Sequence, residues 1–181
     1  MSASTAPDVA LPARHSGDVR LHRGVAVAKA YNNLGSIALG RGETETAITW
    51  FEKAVKASPD HFESRYNLAM RYLEKDRVPE AIKLLEQASA LSPNHELVHE
   101  RLGMAYLASG RGEDAYRSFL LVRRLYPKNW EAPLGLAVLQ VSANHPDQAR
   151  RELEDALRLG GEFYLDITSI NINICPGARS A

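Results

Sequence analysis

Residues 28–61 read AKAYNNLGSIALGRGETETAITWFEKAVKASPDH, and residues 62–95 read FESRYNLAMRYLEKDRVPEAIKLLEQASALSPNH. Set one above the other, the two stretches agree in kind at many positions. Extending the shift of 34 residues along the chain superposes Ala47, Ala81, Ala115 and Ala149, and likewise Leu34, Leu68, Leu102 and Leu136. Gly35, Ala69, Gly103 and Ala137 form a column of small residues. Phe51, Leu85, Phe119 and Leu153 form a column of large ones, and Pro59, Pro93 and Pro127 mark three unit ends. Independent columns at one spacing are the mark of a repeat architecture.

Each unit reads as two helices. Tyr31, Leu34 and Ala38 recur at helical spacing, and so do Ala47, Phe51 and Ala54. Between them lie the turns Gly40-Arg41-Gly42-Glu43, Lys75-Asp76-Arg77 and Gly110-Arg111-Gly112. Pro79 and Pro146 fall near the starts of second helices, where a missing N–H is harmless. One such pair cannot bury its apolar face, so the pairs must stack.

The columns aromatic-x-x-Leu-Gly, Ala, Phe, Ala and Pro resemble the tetratricopeptide repeat. The resemblance covers units 28–61, 62–95, 96–129 and 130–161. It weakens in the last, where Pro133, Gln140 and Gly161 depart from the pattern. It implies an all-α fold, a right-handed α-solenoid superhelix of four helix-turn-helix units. It also implies a non-catalytic adaptor or scaffold that holds an extended peptide or a partner helix in a concave groove. The alternative it leaves open is a substrate-recruiting subunit or region of a larger enzyme assembly.

Composition narrows the classes. Twenty-two Lys and Arg balance 22 Asp and Glu. A neutral chain lacks the positive excess that nucleic acid binding requires. No apolar run reaches the length of a membrane span. A single cysteine, Cys175, excludes an internal disulfide. No stretch suits a secretory signal, so a cytoplasmic location is expected. Residues 1–27 read as a mostly disordered segment, with Val19–Val27 able to extend the first helix backward. The tail 162–181 alternates Ile170, Ile172 and Ile174 with Asn171 and Asn173, a strand-like period. It is expected to cap the last pair, or else to lie in the groove or self-associate with another chain's tail.

The first helix of each unit is expected to line the groove. The face so defined holds Lys29, Asn33, Tyr66, Asn67, Met70, Arg101, Met104 and Leu107, with Glu100, Glu131, Leu134 and Val138 on the same stripe. Asn33, Asn67 and Arg101 share one offset. Asn can donate to and accept from a peptide backbone at once, and Arg can fork onto a carboxylate. The column is similar to the asparagine ladders of the family and to half of its clamp for chaperone C-termini. Asn32, Ser36 and Leu97 stand where that clamp would have Lys, Asn and Lys, which leaves a dianionic terminus short of cations.

One catalytic pattern occurs. His95-Glu96-Leu97-Val98-His99 spells the H-E-x-x-H of zinc hydrolases, which needs both imidazoles on one helix face. Its first His falls two residues after Pro93, at or before the helix start, so no metal or cofactor is expected there.

Overall fold

The structure, a computed structural model, describes residues 16–160. Eight α-helices make up four consecutive pairs: α1 (Ser16–Gly40) with α2 (Thr44–Ala57), α3 (Phe62–Glu74) with α4 (Val78–Leu91), α5 (Glu96–Ala108) with α6 (Gly112–Leu125), and α7 (Glu131–Ser142) with α8 (Pro146–Arg158). The second helices begin at residues 44, 78, 112 and 146, in the 34-residue rhythm of the sequence. The tail expectations for 162–181 concern residues outside those described. None of the described helices is long and apolar enough to cross a membrane.

The turns within the pairs share one chemistry. In the first, the Glu43 N–H donates to the Ala38 carbonyl at 2.9 Å and the Gly42 N–H to that of Leu39 at 2.9 Å. The same two bonds recur from Arg77 and Asp76, from Arg111 and Gly110, and from His145 and Asn144. This is the Schellman helix ending, which needs one residue in the left-handed region. Gly42 (φ 76°) and Gly110 (φ 74°) take that conformation freely, whereas Asp76 (φ 58°) and Asn144 (φ 59°) are the short polar residues that tolerate it.

The chain divides into two compact units, residues 1–64 and 65–181, with the boundary inside α3. In the first, α1 and α2 form a hairpin whose core is Ala28, Ala38, Ala47, Phe51 and Ala54. A Cβ on Gly35 would stand 2.6 Å from the Phe51 ring, so only glycine admits that ring. The Tyr31 and Trp50 rings stack with centroids 5.6 Å apart. Helix α1 starts at Ser16, so the first helix extends backward through Val19–Val27 and three residues beyond. Its early turns have a partner: Gly24 lies against the Ala57 carbonyl, and Ala28 is wholly buried.

In the second unit α4 packs on α5, α5 on α6, α6 on α7, α7 on α8, and α5 also touches α7. Helix α7 (EAPLGLAVLQVS) therefore has helices on several sides, which explains its nearly continuous apolar sequence. The ring of Phe119, fully buried on α6, lies between Gly103 of α5 and Gly135 of α7. A Cβ on Gly103 would come within 2.6 Å of it, and one on Gly135 closer still. Where the small column holds alanine, at Ala69 and Ala137, the large column holds the slimmer Leu85 and Leu153. Size is thus matched pair by pair. A second repeated device fixes the turns. The Arg77 guanidinium lies 3.9 Å over the Tyr72 ring and pairs with Glu80 at 2.9 Å. Arg111 lies 4.3 Å over Tyr106 and pairs with Asp114 at 2.8 Å.

Candidate binding cleft between α5 and α7

Where α5 and α7 face each other, a cleft of about 340 Å³ opens. It is lined by Glu100, Arg101, Met104, Leu107, Trp130, Glu131, Leu134, Gly135 and Val138. Its existence follows from the repeat. Gly135 falls at the offset of Asn33, Asn67 and Arg101, so the polar column ends in a residue without a side chain. Glycine there admits Phe119 from below and leaves open space above. Met104 projects with 50% of its surface exposed, and Leu107, Leu134 and Val138 are half-buried beside it. A thioether on a flexible stem can reshape itself against different apolar groups.

The α5 wall is charged. Glu100 is only 1% exposed. Its Oε2 accepts a hydrogen bond from Asn129 Nδ2 at 3.2 Å, and the Arg101 guanidinium stands 3.3 Å from Oε1. The angle of that approach does not make a hydrogen bond, and Oε1 accepts none. Asn129 also donates to Glu96 Oε1 at 3.0 Å. Its own Oδ1 accepts the Ala132 N–H at 2.8 Å, so one amide ties two carboxylates of α5 to the first turn of α7. Pro133 follows in that turn, where it displaces no helical bond. Glu131, the first residue of α7, lines the same cleft. Burial first, then the nearby Glu131, pushes the Glu100 carboxyl up to about 7, against the opposing pull of Arg101 and Asn129.

Of the eight groove residues picked from sequence, the cleft collects Arg101, Met104 and Leu107. Tyr66, Asn67 and Met70 stand half-buried on α3, at the repeat offsets of Glu100, Arg101 and Met104. Lys29 and Asn33 are exposed on α1 of the first unit. Trp130 is a lining residue the sequence did not single out, because it precedes its helix and belongs to no helical stripe. Glu100 was placed on the exposed stripe and is instead buried, with Asn129 at the end of its own unit hydrogen-bonded to it and Glu131 of the following unit nearby.

Two arrangements resemble catalytic sites and are accounted for by folding. His95 has extended backbone (φ −81°, ψ 114°) ahead of α5, so it shares no helix face with His99. The His99 Nε2 lies 2.6 Å from the Pro93 carbonyl and so donates a proton to it, which removes that nitrogen as a ligand. His61 Nδ1 lies 2.7 Å from Ser64 Oγ and 3.4 Å from Glu63 on its other nitrogen. Yet Ser64 is wholly buried, and the same Nδ1 accepts the Ser64 N–H at 3.3 Å, as a side chain capping α3 would.

Comparison with known proteins agrees with this architecture. Two family profiles described as tetratricopeptide repeat match, one over residues 26–94 and the other over 72–124 and 106–162. No curated protein matches the chain. Among solved structures, the crystal structure of MamA is 21% identical over 73% of this chain and 77% of its own, with a TM-score of 0.69. The pilF protein of Pseudomonas aeruginosa is 26% identical over 76% of this chain, with a TM-score of 0.64. This chain spans 63% of pilF's length. A thermophilic tetratricopeptide protein of Thermus thermophilus is 24% identical over 74% of each chain, with a TM-score of 0.60. With its columns, its four helix pairs and its shared turn chemistry, the chain belongs to the tetratricopeptide repeat family and has that family's all-α solenoid fold.

Proposed function

We propose that this protein is a non-catalytic interaction adaptor that holds a peptide segment or helix of a partner protein in the cleft between α5 and α7. The observation that carries the proposal is the half-exposed Met104 over an apolar floor of Leu107, Leu134 and Val138, with Glu100, Arg101 and Glu131 as the charged lining residues. Apolar side chains left open between helices, with a few polar groups to fix orientation, suit recognition by complementarity. Tyr66, Asn67 and Met70 on α3, and Lys29 and Asn33 on α1, are proposed as partner contacts of their own repeats. Arg101 supplies the guanidinium at the rim.

The test is selection of a displayed random dodecapeptide library on the full chain, with hits then measured against Met104→Asp. An aspartate there places a charge on the floor of the cleft, and affinity should fall at least about tenfold with the fold intact by circular dichroism. Hits that bind Met104→Asp as well as the native chain would remove the cleft from the function.

A further inference from the structure

The first helix pair has an end that the later pairs lack. Val98, Leu102 and Ala105 on α5 are buried, and so are Ala132 and Leu136 on α7. Helix α4 packs on α5, and α6 on α7, so each of these first helices has a preceding second helix against it. The same repeat offsets on α1 hold Ala30, Leu34 and Ile37. There Ala30 is exposed, Leu34 keeps 40% of its surface open and Ile37 52%, with Val27 at 38% on the same stripe. Helix α1 has its own partner α2, as α5 has α6; among the described residues it lacks a preceding pair. Solenoid ends ordinarily turn polar, and an apolar stripe left open at one marks an interaction surface.

The charges around the stripe select its occupant. Arg23 and Arg41 stand four residues beyond its two ends, at helical spacing, exposed and without an ion pair among the described residues. Asp18 is the one acid in α1. Because Arg23 and Arg41 are symmetric about Val27–Ile37, a second copy docked through this stripe, parallel or antiparallel, sets arginine against arginine at both ends. Residues 1–15 hold Pro7 and Pro12 and a single acid, Asp8, so their sequence spells no acidic amphipathic stripe. We infer that the Val27–Ile37 face of α1 docks an amphipathic helix of a partner protein, apolar along the face it lays down and acidic toward both ends. That helix takes the place on α1 that α4 takes on α5. The surface shares no residue with the α5–α7 cleft and is independent of the reading of that cleft.

The experiment uses the full chain and a displayed library of single helices, each of about 19 residues to span Arg23 to Arg41. Apolar residues are fixed at helical spacing along one face, and the flanking positions vary among Glu, Gln and Lys. Hits are measured by fluorescence anisotropy. The expected result is a class of hits with Glu at the flanks, weakened at least about tenfold by Ile37→Asp and indifferent to Met104→Asp. Arg23→Glu with Arg41→Glu, both at exposed positions, should reverse the preference to Lys. Hits that depend on Ile37 whatever their flanking charge would overturn the acidic partner. If no hit responds to Ile37→Asp, the docking face itself is overturned, whatever happens at the cleft. A native chain that dimerises in sedimentation while Ile37→Asp stays monomeric makes a second copy the occupant, and the inference fails. It fails also if hits bind only after residues 1–15 are removed, which makes that segment the occupant. Should Ile37→Asp not fold by circular dichroism, the charge-reversed variant decides: a reversed preference supports the inference and an unchanged one overturns it.

Discussion

Replacing Glu100 by Gln should make the protein more stable as the pH rises, relative to the native chain. The carboxyl is 1% exposed, with Glu131 nearby, and its pKa moves from an ordinary 4.5 to about 7. Between those values the folded chain holds a proton there that the unfolded chain has lost. Stability then falls with increasing pH, because the native state binds the extra proton. Below pH 4.5 both states are protonated, and above pH 7 both are ionised, so the loss is complete by then. A displacement of that size corresponds to about 3 kcal/mol at full effect. Gln is the neutral shape of the acid and can still accept from Asn129, so it should match the native chain near pH 4.5. It should exceed it by about 2–3 kcal/mol at pH 8. The assay is urea denaturation followed by far-ultraviolet circular dichroism at several pH values from 4.5 to 8. The difference between variant and native chain cancels the titration of groups that do not interact with Glu100. Slopes must agree between the two, since repeat arrays can lose two-state behaviour. A difference that stays flat across this range would refute the burial and pairing ascribed to Glu100.

The packing and turns give further expectations. Gly135→Ala drives a methyl group into the Phe119 ring and should destabilise by about 1–3 kcal/mol, with Phe119→Leu restoring part of the loss in the double variant, read from thermal melts. Asp76→Gly and Asn144→Gly should each raise stability by up to about 1 kcal/mol, since glycine enters the left-handed region without a steric penalty, whereas Gly42→Ala should lower it; chemical denaturation of the three variants checks both signs. Asn129→Ala breaks the link from Glu96 and Glu100 to the first turn of α7. It should cost about 1–2 kcal/mol, with faster amide exchange at Ala132.

The repeat was legible because packing acts on residues a fixed distance apart. The close approach of Gly35 to Phe51, or Gly103 to Phe119, leaves its trace at a constant sixteen-residue spacing in the sequence. The turn residues were legible in the same way, and Asp76 and Asn144 fall on the glycine column because the backbone there needs a left-handed residue. The cleft was legible only in part. Arg101, Met104 and Leu107 lie on one helical stripe, and that stripe could be read. Glu100 lies on it too, but it is buried beside Asn129, past the end of α6, and Glu131 of the next unit, and a single helix's periodicity carries no record of a neighbour. Trp130 belongs to a helix boundary, where stripes stop. The backward extension of α1 was legible only as an option, because Val19–Val27 has a weak helical pattern. Its docking depends on Gly24 approaching the Ala57 carbonyl thirty-three residues later, one short of the repeat.

The most direct test labels the methionine methyl groups and follows them by NMR while a selected peptide is titrated in. The chain has three methionines, Met1, Met70 and Met104. Binding in the α5–α7 cleft predicts a saturable shift of the Met104 methyl at the affinity measured by calorimetry, with Met1 unmoved. A peptide that binds to saturation while the Met104 resonance stays in place would contradict it.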